Sequence, residues 1–247
     1  MCPVGHFLSL IREAQNQTEA VFARNYDGIP HAPLHALITS LFADITAHVK
    51  RRHLVNTVNS VTRFFDGLFP LVFENILNDP SQLHLTPPYR ACLQGLQQEL
   101  RPFGDTPHKF AHRLAKSTGV VRAFLAALGT GFDTLNATEN LPLELSCTRA
   151  LTRMLYCPHC AGLVRVRPCR NLCYNVARGC LASAAELDRH WNAYIVAVET
   201  VAAEMKGYYN PEEVLSSVAM TISEAVMHTM ETGHKYYAKV GCPHLGN

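Results

Sequence analysis

Six of the nine cysteines in this 247-residue chain lie between positions 147 and 180. Thiols at this density can form disulfides, bind a metal ion or carry out dithiol redox chemistry. The choice among these three chemistries determines the compartment of the protein and most of its function. The cysteines concerned are Cys147, Cys157, Cys160, Cys169, Cys173 and Cys180.

A zinc site is the first interpretation, because Cys157 and Cys160 are followed by Cys169 and Cys173. Four thiolates at short spacing are what a structural zinc ion requires. The second pair has three intervening residues instead of two, and the two outer cysteines of the segment would remain unused. The sequence therefore keeps a zinc-binding structural module as one alternative.

A thiol-disulfide oxidoreductase is the second interpretation, with Cys157 and Cys160 as the reactive dithiol. Such a dithiol needs a helix N-terminus to stabilise the thiolate, usually after a strand. The residues just before it, 151–156, have the pattern of a helix. A disulfide framework is the third interpretation and the preferred one, although spacing alone does not specify which cysteines pair.

Composition excludes some classes of protein. A hydrophobic content of 48% and a charged content of 17% are typical of a globular domain, and a net charge of +2 gives no support to a nucleic-acid partner. No segment has the length and apolarity of a membrane-spanning helix. Neither a signal peptide at the start nor an anchoring tail at the end is expected from the terminal residues.

Apolar residues repeat every three or four positions along most of the chain, which predicts an all-α fold. Pro70 is expected to kink or break one helix. Asn210 and Pro211 predict the start of another, which should run to about Val240. Two of the apolar stripes are Leu34, Leu37, Ile38, Leu41, Ile45 and Val49, and Leu187, Trp191, Tyr194, Val198, Val201 and Met205.

The cysteine segment also carries a family resemblance. Its pattern resembles the signature of the glypicans and is more similar to the subfamily of glypicans three and five than to the other branch. The residues that carry it are Cys157, Cys160, Gly162, Leu163, Pro168, Cys169, Cys173, Val176, Gly179, Cys180, Leu181 and Ala182. The resemblance implies an elongated, all-helical core stapled by disulfides.

The resemblance further implies that residues 1–247 form a single partial core domain with its cysteine-rich segment at 147–180. The N-terminal cysteine cluster and the C-terminal attachment and anchor region of the family are expected to be missing, as in a fragment, an isoform or an incomplete gene model. Implied disulfides are Cys147–Cys180 and Cys92–Cys242. Half-cystines with partners outside the chain would be Cys157, Cys160, Cys169 and Cys173.

The function implied by the resemblance is that of a non-catalytic core protein of a cell-surface heparan sulfate proteoglycan. Glypicans are held on the plasma membrane by a glycosylphosphatidylinositol (GPI) anchor and bind secreted Wnt, Hedgehog, bone morphogenetic and fibroblast growth factors. No cofactor or metal is implied. Sequons predict N-glycosylation at Asn136 and Asn16, and no Ser-Gly dipeptide offers a heparan sulfate attachment site in this chain.

Overall fold

Most of the protein is helical in the part described by the structure, a computed structural model that covers residues 3–50, 55–76, 85–139, 142–237 and Val240. No β-strand occurs in these ranges, which confirms the predicted all-α class. The helices are α1 Pro3–Asn25, α2 His31–Val49, α3 Thr57–Ile76, α4 Pro87–Leu100, α5 Thr106–Glu139, α6 Leu145–Cys160, α7 Arg170–Cys180, α8 Ala185–Glu204, α9 Pro211–Ser216, α10 Val218–Thr232 and α11 His234–Tyr237, with a short 3-10 helix at Ala182–Ala184.

The chain divides into two compact units. Unit 1 comprises Met1–Leu125 and Val201–Asn247, and unit 2 comprises Ala126–Thr200. The chain passes from the first unit to the second within α5 and returns within α8. Each unit has its own kind of packing.

Unit 1 has a conventional hydrophobic core. Helix α1 packs against α2, α9 and α10, and α3 packs against α2, α4 and α10. Aromatic rings fill the centre: the Phe103 ring lies 5.0 Å from that of Phe65 and 6.2 Å from that of Phe69, centroid to centroid. Burial of large aromatic side chains is the main stabilising contribution in such a core.

Two buried hydroxyl groups connect parts of unit 1 that are distant in sequence. The hydroxyl of Tyr26, the residue that follows α1, donates to the carbonyl of Ser223 on α10, at 3.0 Å. The Thr229 hydroxyl donates to the carbonyl of Pro102, at 2.9 Å. These bonds place α10 against both the N-terminal helix and the turn that precedes α5.

Several predictions from periodicity hold in unit 1. Helix α2 buries Leu34, Ile38, Leu41, Ile45 and Val49, so the predicted stripe is its core face. Asn210 is the N-cap of α9, where its side chain accepts from the Glu212 N–H at 3.0 Å, and Pro211 follows at the first helical position.

One predicted helix end is wrong, and one of two alternatives at Pro70 is excluded. Of the kink or break expected at Pro70, the break does not occur: α3 continues to Ile76, and the residues around the proline are buried in the core. The helix that begins after Asn210 does not run unbroken to Val240. It is interrupted at Ser217 and again at Gly233, which divides it into α9, α10 and α11.

Asp66 on α3 is a source of pH-dependent stability. Its Oδ1 atom is buried and has no hydrogen-bond partner among the described residues, and burial raises the pKa of its carboxyl group above the usual value. A carboxyl pKa that is raised on folding costs stability above that pKa and nothing at low pH. We therefore expect Asp66→Asn to increase the free energy of unfolding at pH 7.

The expected gain should shrink as the pH falls through the raised pKa toward about 4, the value for an unfolded chain. Urea unfolding of the Asp66→Asn variant and the wild type, at several pH values, measures this difference. Asp44→Asn is the control, because Asp44 pairs with Arg63 at 2.9 Å and its loss should not stabilise the fold. A gain that is the same at every pH would contradict the assignment.

Candidate functional site: the cysteine-rich segment

The cysteine-rich segment folds into a helical hairpin closed by a disulfide. Helix α6 packs against α7, and a disulfide joins Cys147 in the first turn of α6 to Cys180 at the end of α7, with the Cα atoms 5.0 Å apart. The two helices are therefore antiparallel. The covalent link lies at the end of the hairpin where the chain enters and leaves.

Four thiols lie toward the opposite end of the hairpin. Cys157 and Cys160 are in the last turn of α6, while Cys169 is the N-cap residue of α7 and Cys173 follows in its first turn. All four are free; the first three are exposed and Cys173 is half-buried. The hairpin thus separates one formed disulfide from four thiols that other cysteines can reach.

The geometry gives no support to the zinc alternative. Within the described ranges, no group of three or more His, Cys, Asp or Glu side chains is placed to hold a metal ion. A structural zinc ion needs four ligands in a tetrahedron.

The geometry also disfavours the dithiol alternative. Cys157 and Cys160 are at the carboxyl end of α6, where the helix dipole carries a partial negative charge. Reactive dithiols use the opposite end of a helix, where the partial positive charge stabilises the attacking thiolate. An oxidoreductase role for this pair therefore has no electrostatic basis.

Unit 2 exposes an unusual amount of apolar surface. Among its described side chains, only that of Cys147 is buried, at 6% exposure. Surfaces of this kind mark places where other polypeptide or a ligand binds. Large apolar side chains open to solvent in this unit include Phe132, Leu145, Leu155, Leu163, Val164, Val166, Leu172, Tyr174, Leu181 and Val196.

One apolar groove within unit 2 is large enough for a ligand. It has a volume of about 850 Å³ and is bordered by the end of α5, by α7 and by the start of α8. Its lining includes Leu135, Leu181 and Trp191, with Arg178 and Asp188 as its charged residues. A volume in the range of about 300–1,000 Å³ with a mostly apolar lining is typical of small-molecule sites.

Helix packing holds the Trp191 side of the groove in place. The Trp191 and Tyr194 rings lie 5.1 Å apart on α8, and the Tyr194 hydroxyl donates to the Ala127 carbonyl of α5 at 2.8 Å. Both residues belong to a predicted apolar helix stripe, but the groove has no signal in the sequence, because periodicity does not tell a ligand-binding face from core.

Comparison with known proteins decides the family. Residues 4–244 match the glypican family model, which is nearly the whole chain. The chain belongs to the glypican family. The predicted resemblance is thereby confirmed, and a helical hairpin rich in cysteines is a feature of the matched part of this glypican chain.

Comparison with individual proteins supports the same family. Glypican-5 of Mus musculus is 35% identical over 238 residues, which is 96% of this chain and 41% of the relative. A crystal structure of glypican-1 superposes with a TM-score of 0.75 and 26% identity, covering 98% of this chain and 57% of that one. Dally-like protein in complex with O-palmitoleoyl serine gives a TM-score of 0.66 and 28% identity, covering 97% of this chain and 57% of that one.

This glypican chain thus spans less than half the length of the glypican-5 relative. Membership of the family places it at the cell surface or outside the cell and supports a non-catalytic core protein. An extracellular location agrees with a formed disulfide, since oxidising compartments preserve such bonds. No helix in the described ranges has both the length and the apolarity needed to cross a bilayer.

Only one of the two cysteines in the second implied disulfide, Cys92, is among the described residues. Cys92 is half-buried on α4 and is disulfide-bonded. Its implied partner, Cys242, lies outside the described residues. The Cys92–Cys242 pair therefore stays a prediction.

Both predicted glycosylation sites are accessible. Asn136 is exposed on α5 and Asn16 is exposed on α1. We expect protein from a secretory host to carry glycans at both positions, and each of Asn136→Gln and Asn16→Gln to remove one glycan. Gel mobility before and after enzymatic deglycosylation measures this, with Asn59→Gln, an exposed asparagine outside any sequon, as the control. Unchanged mobility in either sequon variant would refute that site.

Proposed function

We propose that this glypican chain is part of the core protein of a cell-surface heparan sulfate proteoglycan that binds and presents secreted signalling proteins. The match to the family over residues 4–244 carries the proposal. The complete protein would be held on the plasma membrane by a GPI anchor. Its ligands would be of the Wnt, Hedgehog, bone morphogenetic or fibroblast growth factor type.

The four free thiols fit a core protein that is larger than this chain. We propose that Cys157, Cys160, Cys169 and Cys173 are half-cystines whose partners lie in other parts of the complete protein. Their exposure at one end of the α6–α7 hairpin supports this, because an incoming segment can reach them without disturbing the Cys147–Cys180 bond.

Lipid-modified signalling proteins are the ligand class that the structure favours most. Dally-like protein has been solved with O-palmitoleoyl serine, an acylated amino acid. This chain offers an apolar groove of about 850 Å³ in unit 2. We propose that the groove accepts the acyl group of a Wnt-type ligand, because burying a hydrocarbon chain against Leu135, Leu181 and Trp191 removes apolar surface from water.

The single tryptophan of the chain provides a direct test. Because Trp191 lines the groove, its fluorescence responds to occupancy of the groove. Titration with a palmitoleoylated serine peptide should give a saturable change in emission, whereas the same peptide without the acyl group should give none. Equal responses to the two peptides, or none to either, would refute the acyl-binding role.

A pair of variants sharpens the result. Leu181→Glu places a charge in the groove and should weaken binding of the acylated peptide, because a carboxylate must then be desolvated beside the hydrocarbon. Leu155→Glu is the matched control, since Leu155 is similarly exposed on α6 but does not line the groove. Equal affinities of the two variants would move the binding site elsewhere.

The wider role is tested on protein secreted with a supplied signal sequence. Surface plasmon resonance against purified members of the four ligand classes measures binding to the polypeptide itself, because the chain contains no Ser-Gly site for heparan sulfate. Saturable binding of at least one class is expected. Failure of all four would overturn the proposed function.

A further inference from the structure

A second cleft, in unit 1, contains several polar side chains that make no hydrogen bond or ion pair to any described residue. It has a volume of about 510 Å³ and lies between α3, the end of α4 and the first turns of α5. Its floor is apolar, with Phe65 and Ala111. Its polar lining comprises Thr62, Gln97, Gln98, Arg101, Asp105 and His108.

Gln97 is the residue that points to a ligand. It is 6% exposed, yet its carboxamide makes no hydrogen bond to any described residue. Its polar atoms are not among the fully enclosed unpaired atoms of the protein, so the little surface that it retains includes the carboxamide and faces the cleft. The carboxamide therefore has hydrogen-bonding capacity that no described residue uses and that is available to a ligand in the cleft.

The groups around Gln97 are mainly donors. The first backbone N–H of α5 with a partner is that of Lys109, which donates to the Asp105 carbonyl. The His108 N–H therefore remains available beside the cleft at the N-terminus of a 34-residue helix, where backbone amides and the helix dipole favour an anion. The Arg101 side chain has no acidic partner among the described residues.

The net charge of the cleft limits the charge that a ligand can carry. Arg101 and Asp105 contribute opposite unit charges, and the helix N-terminus adds about half a positive charge. This balance suits a group with one negative charge and disfavours a dianion. Because a guanidinium can bind a planar or tetrahedral oxyanion through two N–H groups, both carboxylates and sulfate esters are compatible.

We infer that this cleft binds a monoanionic oxyanion group, a carboxylate or a sulfate ester, with the Gln97 carboxamide as its innermost donor and the Arg101 guanidinium as its charge partner. The apolar floor accommodates the carbon skeleton that carries the group. The site is in unit 1 and does not depend on the acyl-binding groove or on the proposed ligand classes.

Nuclear magnetic resonance of the ¹⁵N-labelled chain tests the inference. The probes are acetate, methyl sulfate and inorganic phosphate at constant ionic strength. Acetate, methyl sulfate or both should shift the Gln97 side-chain amide and the His108 backbone amide saturably. A response to acetate alone identifies carboxylates as the ligand, and a response to methyl sulfate alone identifies sulfate esters. Absence of both responses, or a stronger response to phosphate, overturns the inference.

Variants separate binding from folding. Gln97→Leu keeps the volume but removes the donor, so the affinity for the responding probe should fall about tenfold or more while the melting temperature stays equal or rises. Gln94→Leu on the exposed face of α4 is the matched control. Undiminished affinity of Gln97→Leu overturns the inference.

Arg101→Asn provides an independent variant. Arg101 has φ of 45°, a left-handed conformation that asparagine tolerates, so the turn should be retained while the charge is lost. Its affinity should fall about tenfold, the effect of losing a charge-assisted hydrogen bond. Retention of wild-type affinity in this variant also overturns the inference.

Discussion

Replacing Phe69 by alanine is expected to destabilise unit 1 by about 3–5 kcal/mol, the usual cost of removing a buried phenyl ring. Phe69 is fully buried, and its ring contacts those of Phe73 and Phe103 at centroid distances of 5.7 and 6.2 Å. The cavity left behind would lie between α3 and the turn before α5, where close packing leaves little room for neighbouring rings to collapse.

Hydrogen exchange at the backbone amides of α3 measures this loss within unit 1 alone, because exchange rates report the opening free energy of each segment. Phe132→Ala is the matched control, with exchange measured in α5: the same atoms are removed from a side chain that is 71% exposed on that helix, and the change should stay within about 0.5 kcal/mol. Similar effects of the two substitutions would contradict the assignment of Phe69 to the core.

Removing the Cys147–Cys180 disulfide should cost unit 2 about 3–4 kcal/mol. The bond closes a loop with a sequence separation of 33, for which the chain-entropy estimate lies in this range. Among the described residues of unit 2, almost no apolar side chain is buried to offset the loss. We therefore expect the double variant Cys147→Ala/Cys180→Ala to lose protection in α6 and α7, while α1 to α3 remain protected.

Hydrogen exchange resolved by helix distinguishes this outcome from general unfolding. The matched control is Cys157→Ala/Cys160→Ala, which removes two cysteines from the same hairpin but leaves its disulfide in place. Unchanged protection of α7 in the first double variant would show that packing, rather than the covalent bond, holds the hairpin.

Periodicity predicted the fold of unit 1 well because its helices bury one face each. The stripe of α2 is an example, since five of its six predicted positions are buried. Helix ends were harder to predict. Pro70 carries a strong local signal for a break, but the burial of Phe69, Leu71 and Val72 on both sides of it outweighs the lost hydrogen bond. The local sequence does not indicate tertiary packing of this kind.

Prediction of the sites from sequence was limited in a different way. Spacing located the cysteine-rich segment but left its pairing open, and the link between Cys147 and Cys180 came from the glypican resemblance. The Gln97 cleft had no sequence signal, because a glutamine on a helix is usually exposed. Thr86 followed by Pro87 and Pro88 is a helix-start pattern that would have revealed α4, but no pattern indicates that one of its glutamines faces a cleft.

The closed hairpin has a consequence for proteolysis. Residues 161–169 connect α6 to α7 outside any helix, with Leu163, Val164 and Val166 exposed, which is the kind of segment that proteases cut first. Because Cys147 and Cys180 flank this connection, a single cut there would yield two polypeptides that stay covalently joined. Such a nicked molecule would migrate as one species until it is reduced, so cleavage and release are separate events in this part of the protein.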